Sequence, residues 1–162
     1  MRFTKTVLIT GALFALSGCV SIQATDTSLD LDTGQTSASL SDRVQIKTAV
    51  MDYFEGQGEG SFKRLDRAFN DNASMFGVST NDDGEDYLRV WPKMSEVVKN
   101  WSRNPNPDAE PRDGEIMSID VADGRIATVL FRSTDRFYDA LTLVKIDGQW
   151  EIASKVFIRQ MP

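Results

Sequence analysis

The chain has 162 residues, carries a formal charge of −6 and contains no histidine. Its length suits a single domain. The missing histidine removes the commonest metal ligand and general base, together with any Ser–His or Cys–His nucleophile pair. The acidic excess argues against nucleic acid as a partner, since such binding needs clustered lysine and arginine to neutralise phosphates. The sequence therefore predicts no metal site, no bound cofactor and no nucleic acid partner.

Residues 1–18 have the features of a cleaved leader. A basic start with Arg2 and Lys5 precedes an apolar run of about ten residues, whereas a membrane-spanning helix needs roughly 20. The run ends in Leu16-Ser17-Gly18-Cys19, which holds the only cysteine of the chain.

This pattern resembles a bacterial lipoprotein signal. The resemblance implies cleavage before Cys19, a lipid such as palmitate on its sulfur, and several acyl chains at the mature N-terminus, which would give stable anchoring to the bilayer. Val20 stands where an aspartate often signals inner-membrane retention, which favours the outer membrane, facing the periplasm. The alternative is a soluble secreted protein with an incidental free cysteine.

Residues 19–41 are predicted to be the lipidated cysteine and a disordered tether, because Ser, Thr, Asp, Gln and Gly predominate without a hydrophobic period. A domain is expected over 42–162. Its first helix would begin at the N-cap Asp42, and a second would follow Ser61 and stop at residues 70–72. A third would follow Pro92. The apolar positions at helical spacing are Ile46, Ala49, Val50, Tyr53, Phe54; Phe62, Leu65, Phe69; and Met94, Val97, Val98, Trp101.

The remaining segments read as strands. Two short ones are predicted over 73–79 and 87–91, joined by a polar turn at 81–84. A loop at 104–114 is followed by an antiparallel meander over 115–122, 125–133, 135–146 and 149–159. The Asp-Gly pairs at 123–124 and 147–148 are strong hairpin signals. Residues 82–86 are acidic, but they lack the alternating spacing of a calcium loop, so a solvated turn is the preferred interpretation.

Two-residue loops at these turns, and a two-residue middle turn at Thr134-Asp135, fix the predicted register and with it the inward face of the sheet. The predicted inward residues are Met117, Ile119, Val121, Ile126, Leu130, Phe137, Leu141, Leu143, Trp150, Ile152 and Val156, interrupted by Glu115, Thr128, Arg132, Asp139, Lys145 and Ser154. The outward face would carry Lys155 and an apolar set that includes Val129, Phe131 and Phe157. An apolar outer face of this size predicts a homodimer, or else cover by a loop or the tether.

Two segments resemble a known superfamily. They are Tyr53-Phe54-Glu55-Gly56 with Phe69-Asn70-Asp71-Asn72-Ala73, and the stretch YDALTLVKIDGQWEIASKVF over 138–157. Both are similar to the "putative lumazine-binding" branch of the nuclear transport factor 2-like superfamily. The resemblance implies an α+β, cone-shaped fold with three N-terminal helices packed on a curved, mainly antiparallel sheet. Relatives include ketosteroid isomerase, dehydratases and polyketide cyclases, so fold alone does not fix function.

The predicted cone encloses a small set of polar and aromatic candidates. If Arg132 pairs with Asp139, the carboxylate stays ionised, and the pair is structural or a polar anchor for a ligand. If Arg132 turns to solvent or to Glu115, burial would raise the pKa of Asp139 and make it a candidate general base. Tyr53 is a candidate hydrogen-bond donor, and Trp91, Trp101 and Trp150 are candidate pocket walls. For each, a purely structural role is the alternative.

Three functions remain open on this basis. The first is a membrane-tethered, non-catalytic module that binds a small apolar or aromatic ligand, with Arg132 or Asp139 as polar anchor. The second is an envelope scaffold or assembly protein with a filled cone. The third is a cofactor-free isomerase or dehydratase that uses Asp139 as base. The interior volume separates them, since ligand pockets measure some 300 Å³ or more.

Overall fold

This computed structural model describes residues 38–103, 113–134 and 136–161. The predicted leader, Cys19, the tether up to residue 37 and the loop over 104–112 lie outside the described residues.

Three helices and six strands make up the described chain. The helices are α1 Leu40–Glu59, α2 Phe62–Ala68 and α3 Met94–Arg103. The strands are β1 Phe69–Thr80, β2 Asp86–Trp91, β3 Gly114–Ala122, β4 Ile126–Ser133, β5 Phe137–Ile146 and β6 Gln149–Arg159. No helix in these ranges is long and apolar enough to cross a membrane.

The strands form one curved sheet in the order β2-β1-β6-β5-β4-β3. All neighbours are antiparallel except β1 and β6, which run parallel. The helices cover one face, and α1 contributes much of the core. Its buried apolar residues are Ile46, Ala49, Val50, Tyr53 and Phe54. The α+β prediction, with three helices on a mainly antiparallel sheet, is confirmed.

The helix ends differ from the prediction at two places. Ser39, not Asp42, is the N-cap of α1, because the Ser39 hydroxyl accepts a hydrogen bond from the Asp42 amide at 3.0 Å. The α2 helix ends at Ala68 and continues directly into β1, so residues 70–72 lie in the strand instead of stopping the helix.

One of the two Asp-Gly hairpins has the predicted register. Ile146 pairs with Gln149 and Lys145 with Trp150, and Asp147 and Gly148 both have positive φ, as a two-residue hairpin loop requires. At Asp123-Gly124, however, Ala122 pairs with Ile126, so the loop has three residues. Ser133 likewise pairs with Phe137, so the predicted two-residue turn at Thr134-Asp135 is also one residue too short. A shift of one residue turns every side chain of a strand to the other face.

Two β-bulges add further reversals. Met117 is the extra residue of β3 opposite β4, and Ala153 is the extra residue of β6 opposite β5. The inward face therefore differs from the predicted one beyond each bulge. Inward residues on these strands are Ile116, Ile119 and Val121; Ala127, Val129, Phe131 and Ser133; Asp139, Leu141 and Leu143; and Trp150, Ile152, Lys155 and Phe157.

Candidate functional site

A cavity of about 410 Å³ lies between the helices and the inward face of the sheet. Its buried lining includes Tyr53, Met75, Ser133 and Lys155, while Lys93 and Glu96 are exposed at its outer end. The volume exceeds the roughly 300 Å³ at which ligand pockets begin. The cone is therefore not filled by its own side chains.

Three polar groups meet at the buried end of this cavity. The Tyr53 hydroxyl donates a hydrogen bond of 2.8 Å to Oδ2 of Asp139, and the Lys155 ammonium forms an ion pair with Oδ1 of the same carboxylate. Asp139 is 1% exposed and Lys155 is 4% exposed. Tyr53 and Lys155 line the cavity, whereas Asp139 lies behind them and contacts both side chains.

Opposing effects act on the buried lysine. Burial lowers the pKa of Lys155 because it disfavours the charged ammonium, and the Asp139 carboxylate opposes this shift through charge and hydrogen bonding. Lys155 Nζ also lies 5.0 Å from the ring centroids of both Tyr53 and Phe157. The amine thus combines a carboxylate partner with two aromatic neighbours at the cavity wall.

The site depends on strand register. Lys155 pairs with Leu141 and Phe157 with Asp139, so the cation and the carboxylate are close diagonal neighbours on β6 and β5. The bulge at Ala153 turns Lys155 inward; in a regular strand it would face outward with Glu151. Tyr53 reaches the pair from the buried face of α1.

Aromatic rings form much of the remaining wall. Ring centroids are 6.0 Å apart for Tyr53 and Trp101, 5.8 Å for Trp91 and Phe157, and 5.4 Å for Phe137 and Phe157. Flat aromatic walls favour an apolar or aromatic occupant.

Gly77 makes room for one of these rings. A Cβ atom at this position of β1 would collide with the ring of Phe157. The absent side chain therefore lets Phe157 lie against the sheet.

The predicted site residues divide into two groups. The cavity brings together Tyr53, Trp91 and Trp101, with Asp139 immediately behind them. Trp150 lies elsewhere: its indole N–H donates to Asp42 at 2.9 Å, beneath the start of α1.

Arg132 is on the outer face, so the predicted placement beside Asp139 is wrong. It pairs with Glu115 at 2.6 Å, and the two residues are register partners. The physical reason is one extra residue in each turn that flanks β4: Ser133 pairs with Phe137, and Ala122 pairs with Ile126. The strand is therefore reversed relative to both neighbours, and Phe131 and Ser133 face inward instead.

Lys155 is the polar residue that sequence reasoning missed. Regular alternation from Trp150 and Ile152 assigns it to the outer face, and no glycine or proline adjoins Ala153 to indicate the bulge. The aromatic Phe157, two residues later, is the one weak signal of an inward reversal.

The described residues contain no group of three acidic, cysteine or histidine side chains placed to hold a metal ion. The acidic turn is organised by Asn81, whose side-chain oxygen accepts hydrogen bonds from the backbone amides of Asp83 and Glu85.

Comparisons with known proteins agree with the fold. A nuclear transport factor 2-like protein of unknown function from Shewanella baltica superposes with a TM-score of 0.62 at 20% identity, covering 78% of this chain and 99% of its own. A similar protein of unknown function from Methylobacillus flagellatus gives 0.61 at 25% identity, covering 76% and 96%. A ketosteroid isomerase-like protein from Erwinia carotovora atroseptica gives 0.55 at 13% identity, covering 76% and 100%.

Among curated proteins, none matches the chain. The protein family described as "Putative lumazine-binding" matches residues 41–158, which is most of the chain and includes all described helices and strands except for the terminal residues Leu40 and Arg159. The chain therefore belongs to the "putative lumazine-binding" family.

Proposed function

We propose that the domain binds a small, flat, partly aromatic ligand in the cavity, without catalysis. The observation that carries the proposal is a 410 Å³ space with aromatic walls and a single buried cation at its inner end. A few fixed polar groups within a mainly apolar lining are typical of small-molecule sites.

Lys155 replaces Arg132 as the polar anchor in this proposal. Its ammonium has three N–H donors, and one carboxylate cannot use them all. A ring carbonyl on the ligand would accept one of the others. The family description supports a lumazine-like ring, since lumazine is a planar heterocycle with two carbonyl groups.

The cavity is tested with N-phenyl-1-naphthylamine, an uncharged aromatic dye that fluoresces in apolar sites. Wild type is expected to bind it at micromolar concentration, and Val97→Trp is expected to abolish binding because the indole occupies the cavity. Val44→Trp, on the exposed face of α1, is the matched control. Equal dye binding by Val97→Trp and wild type would contradict the proposal.

The anchor is tested with lumazine itself. The double variant Lys155→Met/Asp139→Asn removes the ion pair but keeps an oxygen that accepts the Tyr53 hydrogen bond. We expect it to bind lumazine about tenfold more weakly, the loss of roughly one hydrogen bond to a charged group. Binding of the uncharged dye should change less than twofold. Unchanged lumazine affinity would remove Lys155 as the anchor.

The two other functions have less support. The open cavity disfavours a scaffold whose cone is filled. Asp139 stays a predicted general base, but its two oxygens are engaged by Tyr53 and Lys155, which favours binding over an isomerase or dehydratase reaction.

We also propose that Cys19 anchors the protein to the outer membrane of a bacterial envelope, with the domain in the periplasm. The support is the leader pattern that ends in Leu16-Ser17-Gly18-Cys19. Cys19→Ser is expected to be recovered in the soluble periplasmic fraction and to lose incorporation of labelled palmitate. Unchanged membrane fractionation would overturn the proposal.

A homodimer through the outer sheet face is the third part of the proposal. The corrected register leaves that face apolar with a different set of residues. Those more than a third exposed are Val78, Leu88, Val90, Ile126, Leu130, Ile146, Val156 and Ile158. A two-fold axis would let this one surface cover itself.

A further inference from the structure

A groove continues from the cavity toward the β1–β2 hairpin. It is lined by residues from β1, β2, β5 and β6, and it shares Trp91, Phe137 and Phe157 with the cavity. A ligand whose ring lies in the cavity could therefore extend outward along these shared aromatic walls.

Two arginines stand at opposite ends of this aromatic wall. The Cζ atom of Arg89 lies 4.6 Å from the ring centroid of Trp91, and the Cζ atom of Arg159 lies 5.8 Å from that of Phe137. Phe157 contacts both rings, at centroid distances of 5.8 Å and 5.4 Å. Register explains the arrangement, since Arg89 pairs with Gly77 and Arg159 with Phe137 on the inward side of the sheet.

Neither guanidinium forms an ion pair with a carboxylate in the part of the chain that the structure describes. Four other arginines, Arg64, Arg67, Arg125 and Arg132, do have acidic partners. One carboxylate, Asp86, lines the groove, and it accepts a hydrogen bond from the Thr80 hydroxyl at 2.7 Å. In a chain of net charge −6, this groove has a local excess of positive charge.

From this juxtaposition we infer that the groove holds an anionic group, a carboxylate or phosphate, of a ligand whose aromatic body lies in the adjoining cavity. Arg89 at one end of the aromatic wall and Arg159 at the other are the cations that can pair with it. Planar guanidinium groups bind such oxyanions through paired N–H donors and stack on aromatic rings at the same time. The inference rests on the proposed function, because it extends the same ligand beyond the cavity.

The test compares two dyes with the same ring system. N-phenyl-1-naphthylamine is uncharged, and 1-anilinonaphthalene-8-sulfonate adds one sulfonate in place of the ligand's anionic group. The double variant Arg89→Gln/Arg159→Gln is expected to weaken sulfonate dye binding about fivefold or more, because each exposed ion pair contributes up to about 1 kcal/mol. Binding of the uncharged dye is expected to stay within twofold.

Two further variants make the test specific. Arg43→Gln/Arg125→Gln removes the same formal charge from α1 and the β3–β4 turn and is expected to leave both dyes unaffected. Arg89→Lys/Arg159→Lys keeps the charge and is expected to restore most of the sulfonate dye affinity.

The outcomes separate the two proposals. If both dyes bind and the Arg89/Arg159 glutamine variant leaves their affinity ratio unchanged, the anion site is overturned and the cavity stands. An equal loss in the Arg43/Arg125 variant also overturns it, since the effect would be one of net charge. If neither dye binds wild type, the cavity proposal fails and the anion site fails with it.

Discussion

At the scale of single residues, the sequence locates the buried carboxylate but not its partner. Asp139 and Tyr53 are where alternation and helical spacing predict them, because β5 and α1 are regular. Arg132 and Lys155 lie on the faces opposite to those predicted, since the turn between β4 and β5 and the bulge at Ala153 each displace the pattern by one residue. Burying the Asp139 carboxylate without a partner would be costly, so a neighbouring cation is expected. Which cation it is depends on the strand register.

The ion pair between Lys155 and Asp139 is expected to contribute to the stability of the fold. Lys155→Met leaves the Asp139 carboxylate buried with only Tyr53 as partner, and breaking a buried pair in this way costs about 3–5 kcal/mol. Urea unfolding, followed by tryptophan fluorescence at pH 7, should show this loss in the free energy of unfolding. Lys155→Met/Asp139→Asn should recover most of it, because no buried charge remains. If the double variant were as unstable as the single one, lost packing of the lysine side chain would be the cause instead.

At the scale of elements, the succession of helices and strands along the chain was easier to predict than the faces of the strands. The β5–β6 hairpin is correct because Asp147 and Gly148 both take the positive φ of a two-residue loop. Asp123 and Gly124 also have positive φ, yet their loop includes a third residue, Arg125. The dipeptide indicates that the chain turns; it does not fix how many residues the turn uses.

The contact between α1 and the β5–β6 hairpin is expected to make the free energy of unfolding depend on pH. Asp42 in the first turn of α1 accepts hydrogen bonds from Lys145 at 2.6 Å, Trp150 at 2.9 Å and Ser39 at 2.9 Å. These bonds, that from Lys145 foremost, hold the pKa of the Asp42 carboxyl well below its ordinary value of 3.8. The folded protein therefore binds fewer protons at Asp42 than the unfolded chain does at mildly acidic pH.

The sign of the effect follows from this difference in bound protons. Asp42 contributes its full stabilisation above pH 3.8, its ordinary value, and the contribution falls as the pH drops below it. Asp42→Asn is expected to lower the free energy of unfolding at pH 7 and to reduce its loss between pH 5 and pH 2. Urea unfolding at a series of pH values measures both. Parallel pH profiles for variant and wild type would show that other carboxylates dominate the acid response.

At the scale of the whole molecule, the fold could be predicted because its largest features are local. The meander consists of successive hairpins, and the apolar faces of the three helices cover one side of it. The sequence does not show what covers the other face. Reversal of β4 places Ile126 and Leu130 there, and the bulge in β6 adds Val156 and Ile158.

The outer face therefore carries a prediction about assembly. A row of neighbouring residues crosses it through Phe76, Val156, Ala140 and Leu130, which are successive register partners on four adjacent strands. Val156→Glu places a charge in the middle of this row, and a charge buried without a partner costs several kcal/mol. We expect wild type to sediment as a dimer at micromolar concentration and the variant to dimerise at least about tenfold more weakly.

Val44→Glu is the matched control, because it adds the same charge to an exposed valine on α1 and should leave the dimer intact. Both variants are expected to keep the cavity and its dye binding, since Val156 points away from Lys155 across the sheet. A wild-type protein that sediments only as a monomer at these concentrations would contradict the dimer. The apolar row would then need cover from this chain's own residues or from a different partner.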